Sequence, residues 1–147
     1  MQMNVEIFFI GLVLTLIFVA VTGLYPGGII VPGYLVLFID QPWRLAGTLV
    51  AVLLTIVIYR LASRYLILFG RRRFVFLILT GALFAFLFSL LLPHLSPEAI
   101  EFRVIGWVIP GLIAGHFDRQ GTLKTLAAII IMVTLLFFIN QLWFLII

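Results

Sequence analysis

The chain has 147 residues, of which 65% are hydrophobic and 10% charged, with a mean hydropathy of +1.37 and a net charge of +4. A soluble domain is about half apolar and a quarter charged, so these residues cannot assemble a water-facing surface, and the composition specifies an integral membrane protein. The chain has no cysteine, which excludes disulfides, thiolate metal sites and cysteine nucleophiles.

A spanning helix takes about 20 apolar residues. Residues 5–24 supply the first such run. Its opening, MQMNVEIFFIGLVLTL, has no Lys or Arg ahead of the apolar stretch, so it reads as a retained first helix rather than a signal peptide. Residues 45–66, 74–92 and 122–147 are the other long runs. All four are continuously apolar rather than alternating at period two, which predicts an all-α membrane protein with four long transmembrane helices and argues against a β-barrel.

Between the first two runs lies GGIIVPGYLVLFIDQP, residues 27–42. It is apolar but interrupted by Pro32 and Gly33. About a dozen residues between polar ends make roughly 18 Å of helix, too short for a hydrocarbon core of about 30 Å. The next connection, residues 60–73, carries Arg60, Arg64, Arg71, Arg72 and Arg73, five of the nine positive residues. Positive-inside bias makes it cytoplasmic, with contact to an acidic partner or anionic lipid as a second use of Arg71, Arg72 and Arg73.

After the third run, PHLSPEAIEFRVIG places Glu98, Glu101 and Arg103 at the entrance to a second broken segment, RVIGWVIPGLIAGHFDRQG. An ion pair that fixes the loop is one reading of those charges. The other is that Arg103 guides an anionic substrate, since guanidinium matches carboxylate bidentately; Arg44 is its nearest analogue. With an offset of 78, Gly28 meets Gly106, Pro32 meets Pro110, Gly33 meets Gly111 and Asp40 meets Asp118. The single membrane domain, residues 1–147, therefore reads as two structural repeats, about 5–66 and 74–147, joined by the basic connection.

The short segments either re-enter on one side or cross. Crossing makes the repeat inverted and gathers Arg60, Arg64, Arg71, Arg72, Arg73, Arg119 and Lys124 inside, leaving Arg44 and Arg103 outside. That is the better charge bias, so crossing is expected. Pro suits the first turn of a half-helix, whose start presents free N–H groups and a positive dipole end. Broken membrane segments persist where they face protein or a wet cavity, and transporters use matched breaks to hold carboxylates. Pro32, Gly33, Pro110 and Gly111, with Arg44 and Arg103, are accordingly candidates for a carboxylate or polymer path. The competing reading is that both breaks only let helices pack closely, as do the small pairs Gly47/Ala51, Gly81/Ala85 and Gly111/Gly115.

GTLKTL lacks the second glycine and spacing of a phosphate loop, and no nucleotide signature occurs elsewhere. His94 and His116 have no metal-ligand spacing, so no metal site is expected. No catalytic residue stands out. His116 beside Asp118 reads first as a polar segment end.

TGLYPGGIIVPGYL, YLILFGRRRF and IEFRVIGWVIPGLIAGHFDRQG together resemble the membrane subunit of poly-γ-glutamate synthase, the PgsC or CapC family, along essentially the whole chain. The resemblance implies a bacterial cytoplasmic membrane and a multi-pass subunit of a capsule-polymer machine. Its expected partners are an ATP-dependent amide ligase (PgsB or CapB), which would hold ATP and a divalent metal, and a membrane-anchored subunit (PgsA or CapA). This chain itself is expected to hold no cofactor and to bind no nucleic acid. Two further readings are a stand-alone transporter or channel for a small carboxylate, and a pure scaffold. A bundle this small is too slight to enclose a polymer alone, so an oligomer or a path shared with partners is expected.

Overall fold

The computed structural model describes residues 5–95 and 106–146. Among the described residues the chain is all-helical, with α1 (Val5–Thr22), α2 (Val31–Leu37), α3 (Pro42–Ala62), α4 (Arg71–Leu95), α5 (Ile109–Gln120) and α6 (Thr122–Ile146). Three of these, α3, α4 and α6, are long and apolar enough to cross a membrane. The first predicted run forms α1, whose 18 described residues make a shorter apolar helix.

Both broken segments become an irregular lead followed by a short helix. Pro32 and Pro110 stand in the first turn of α2 and α5, where a missing N–H removes no helical bond. Ahead of them Gly28 and Gly106 have φ of +123° and +64°, a region that side-chain-bearing residues avoid. The two leads therefore need glycine at matching places.

Helix boundaries differ from the sequence expectation at one informative place. The arginine triplet is not loop; it forms the first turn of α4, which begins at Arg71. The charges read as a break in the apolar run, whereas Arg has good helix propensity and a triplet ahead of PheValPheLeu simply extends the helix. This places three cations against the positive end of a helix dipole with no acidic residue in that turn, an arrangement that costs stability.

Three contacts define one end of the bundle. The backbone of Tyr25, just past α1, pairs with the side chain of Gln120 at the end of α5. Arg73 at the start of α4 meets Asp118 near the end of α5 at 2.7 Å. Arg73 also lies over the ring of Tyr59 near the end of α3, 5.8 Å from its centroid. At this end α1, α3 and α5 arrive while the first short segment, α4 and α6 depart. The first segment then runs from Tyr25 down to Tyr34, whose ring meets Phe8 near the far end of α1. The second runs the other way, from Trp107, whose ring lies 5.7 Å from that of Phe86 in mid-α4, to Asp118. The two short segments thus point in opposite directions.

The short helices form the centre. α2 packs on α1 and α6, whereas α5 packs on α4, α3 and α6. The core joins Val31 and Leu35 of α2, Ile109, Ile113 and Phe117 of α5, Val52 and Ile56 of α3, and Leu77 of α4. A second cluster holds Ile7, Val36, Met132 and Leu136. Buried hydroxyls do not go unpaired: Thr15, Thr55 and Thr80 each donate 2.7 Å bonds to the carbonyl one turn back, which satisfies them where no water competes. The outer surface is apolar, with residues such as Val57, Leu79, Ile130 and Phe138 exposed, as lipid contact requires.

Candidate functional site

The two Pro-Gly positions are occupied by packing. Pro32 and Pro110 are fully buried, and Gly33 and Gly111 are buried beside them. A methyl group on Gly11 of α1 would lie 3.4 Å from the Gly33 Cα, and one on Gly33 would lie 3.2 Å from the Phe8 ring. On the other side the fit is tighter. A methyl on Gly81 of α4 would fall 2.5 Å from the Gly111 nitrogen, and one on Gly111 would fall 2.6 Å from the Leu77 carbonyl oxygen. The absent Cβ atoms let α1 and α4 meet the broken segments backbone to backbone.

The charged groups gather instead at the end where α5 finishes. Three arginines open α4, Arg119 sits in the last turn of α5, and Lys124 sits in the first turn of α6. Between α4 and α5 lies a cavity of about 420 Å³, lined by Gly70, Arg71, Arg73, Phe74, Leu77, Leu112, Gly115, His116 and Arg119. Its volume falls in the range of small-molecule sites. Its wall combines cations and a histidine with an apolar floor of Phe74, Leu77 and Leu112.

Each polar group there is held by a nearby element. Arg73 and Asp118 form the one ion pair among the described residues, each about a quarter exposed. Tyr59 belongs to the same group, its ring 5.8 Å from the Arg73 guanidinium. Arg73 is therefore largely neutralised in place, although its Nη2 lacks a well-aligned acceptor. Arg71 and Arg119 are exposed and enter no ion pair among the described residues, so their charge is available to a ligand. His116 Nδ1 donates to the Leu112 carbonyl at 2.9 Å, leaving Nε2 as its open ring nitrogen, and its ring lies 5.6 Å from that of Tyr25. Gln120 receives the Tyr25 N–H at 3.1 Å, donates to the Tyr25 carbonyl, and donates to the Thr125 hydroxyl at 3.0 Å. This clasp ties the lead into α2 to the junction of α5 and α6.

The predicted candidates thus separate. Arg71 and Arg73 share the cavity, and Arg72 is exposed outside its lining. Arg44 lies at the opposite end, over the Phe38 ring at 5.2 Å. Arg103, with Glu98 and Glu101, falls outside the described residues. Sequence reasoning missed Tyr59, Gln120 and Arg119 as members of a site, and took Asp118 for an ordinary segment end. The available signal was Asp118 itself, a carboxylate that closes an otherwise apolar segment and calls for a cation. Nothing in spacing names Arg73, 45 residues earlier (118 less 73), as that cation. The corresponding Asp40 is exposed and has no ion pair, so among the described residues the ion-paired constellation occurs in the second half and not at the matching place in the first.

The family model for capsule biosynthesis CapC matches residues 10–126. A capsule biosynthesis protein CapC from Bacillus anthracis is 37% identical over 137 residues, covering 92% of each chain. A PGA biosynthesis protein CapC from Bacillus subtilis (strain 168) is 40% identical over 124 residues, covering 84% of this chain and 83% of the other. No solved structure matches. Matched over most of its length by the family model and by both relatives, this chain belongs to the CapC capsule-biosynthesis family.

Proposed function

We propose that this protein is the membrane subunit of a complex that makes and exports poly-γ-glutamate, and that its basic end is the cytoplasmic working face. The names of its relatives supply the pathway. The observation that carries the reading is the gathering of Arg71, Arg73, Arg119 and His116 around one cavity, with Arg72 exposed beside it. The polymer is a polyanion, because free carboxylates titrate near 4, and a bare carboxylate in apolar surroundings is prohibitively costly. A cationic entrance at the membrane surface lowers that cost where the chain leaves the ligase.

In this reading α4 and its arginines anchor an ATP-dependent ligase, with Arg72 and Arg64 toward the partner and the cavity toward the polymer. The two halves act as an inverted repeat, supported by the Pro-Gly breaks at an offset of 78 and by the opposed directions of the short segments. A passage beside Pro32 and Gly33, or beside Pro110 and Gly111, requires α1 to part from α2 or α4 from α5. Arg44 would then meet the polymer on the far side, with Arg103 as a second candidate for that role.

Co-purification from the native membrane tests the anchoring. A tagged chain is expected to bring down an ATP-dependent amide ligase, and Arg72→Glu to reduce its recovery several-fold through like-charge repulsion with an acidic partner face. Undiminished recovery with Arg72→Glu would remove the basic end as the dock. Glutamate uptake by liposomes holding this chain alone would favour a stand-alone transporter.

A further inference from the structure

The cavity between α4 and α5 has features that a docking surface for a folded partner does not need. It is a recess rather than a face, and its two unpaired arginines, Arg71 and Arg119, come from different helices and share that recess. Its floor is Phe74, Leu77 and Leu112, and an inorganic anion would make no use of that floor. Gly70 and Arg71 also bring the start of α4 to the rim, so unpaired backbone N–H groups and the positive dipole end reinforce the arginines. Arg73 is spoken for by Asp118, which leaves a net surplus of positive charge and no free carboxylate to repel an anion.

We propose that this cavity is a binding site for a carboxylate carried on an aliphatic stem, and specifically for consecutive units of a γ-linked glutamyl chain. The assignment rests on the reading of the protein as a poly-γ-glutamate subunit. Each such unit has methylenes in its backbone and a free carboxylate beside them. The methylenes lie on Phe74, Leu77 and Leu112 while Arg71 and Arg119 hold successive carboxylates, and His116 lines the same recess as a further polar residue. Gly115 is what keeps the recess open. A Cβ there makes only an ordinary contact, with the Leu77 Cδ1 at 3.7 Å, and Gly115 lines the recess, so a leucine at this position is expected to occupy its volume.

The test uses the purified full chain in phosphatidylcholine nanodiscs, titrated calorimetrically with γ-linked tetraglutamate. Binding is expected, weakened about tenfold or more in Arg71→Gln/Arg119→Gln by the loss of charge-assisted hydrogen bonds. It is also expected to be lost in Gly115→Leu, which keeps every charge and raises helix propensity; unchanged thermal unfolding of that variant shows that its fold is intact. Tetraglutamate binding that survives Gly115→Leu overturns the proposal. So does displacement by inorganic phosphate or glycerol phosphate at concentrations where α-linked tetraglutamate fails, which would make this a phosphate or lipid-headgroup site. No ligase is present, so failure here leaves the co-purification result standing, and failed co-purification leaves this binding result standing.

Discussion

Among the described glycines, Gly81 and Gly111 leave the least room for a side chain. Each faces backbone, which cannot swing aside as a side chain can, and a Cβ on either would sit within 2.6 Å of a main-chain atom. Gly81→Ala and Gly111→Ala are each expected to cost about 1–3 kcal/mol, the usual range for overpacking, and to lower the thermal midpoint of the detergent-solubilised protein. Gly33→Ala should be milder, because its obstacle is the edge of the Phe8 ring at 3.2 Å. Equal effects at Gly33 and Gly111 would contradict the close-approach account. The glycines were visible in the sequence as small residues four apart and as a repeated Pro-Gly pair. What each one touches was not, because an apolar helix offers many equivalent faces and only the assembled bundle selects one.

At the scale of elements, α4 starts under electrostatic protest. Three arginines occupy a turn whose dipole repels them, and Asp118 of α5 relieves one of them at 2.7 Å. The pair is about a quarter exposed, so it belongs with solvated ion pairs rather than buried ones, and a coupling of about 1 kcal/mol is expected. A double-mutant cycle with Arg73→Gln and Asp118→Asn reads that coupling directly. Strict additivity would show that the contact contributes nothing to holding α4 on α5. The start of α4 was misread in the sequence because a charge run between apolar runs looks like a loop, whereas propensity alone permits a helix. The short helices were legible from length and from Pro placement. The lateral arrangement, with α2 against α6 and α5 against α3, was not, because it pairs elements distant in the chain.

For the whole molecule, direction matters most. If both short segments traverse the bundle, α3, α5 and the starts of α4 and α6 bring Arg60, Arg71, Arg72, Arg73, Arg119 and Lys124 to one membrane surface, and the cavity opens there. If they turn back, the cations divide between two surfaces and no single working face exists. The charge count in the sequence favours traversal, and the two short segments run in opposed directions, Tyr25 to Tyr34 and Trp107 to Asp118. Because the chain has no cysteine, single cysteines can report sidedness without background. The decisive measurement is labelling of Thr22→Cys, Ser63→Cys, Lys124→Cys and Gln41→Cys by a membrane-impermeant maleimide in right-side-out and inverted vesicles. The first three should react together from the cytoplasmic side and Gln41→Cys from the other; reaction of Gln41→Cys alongside Thr22→Cys would show a re-entrant first segment and contradict the account.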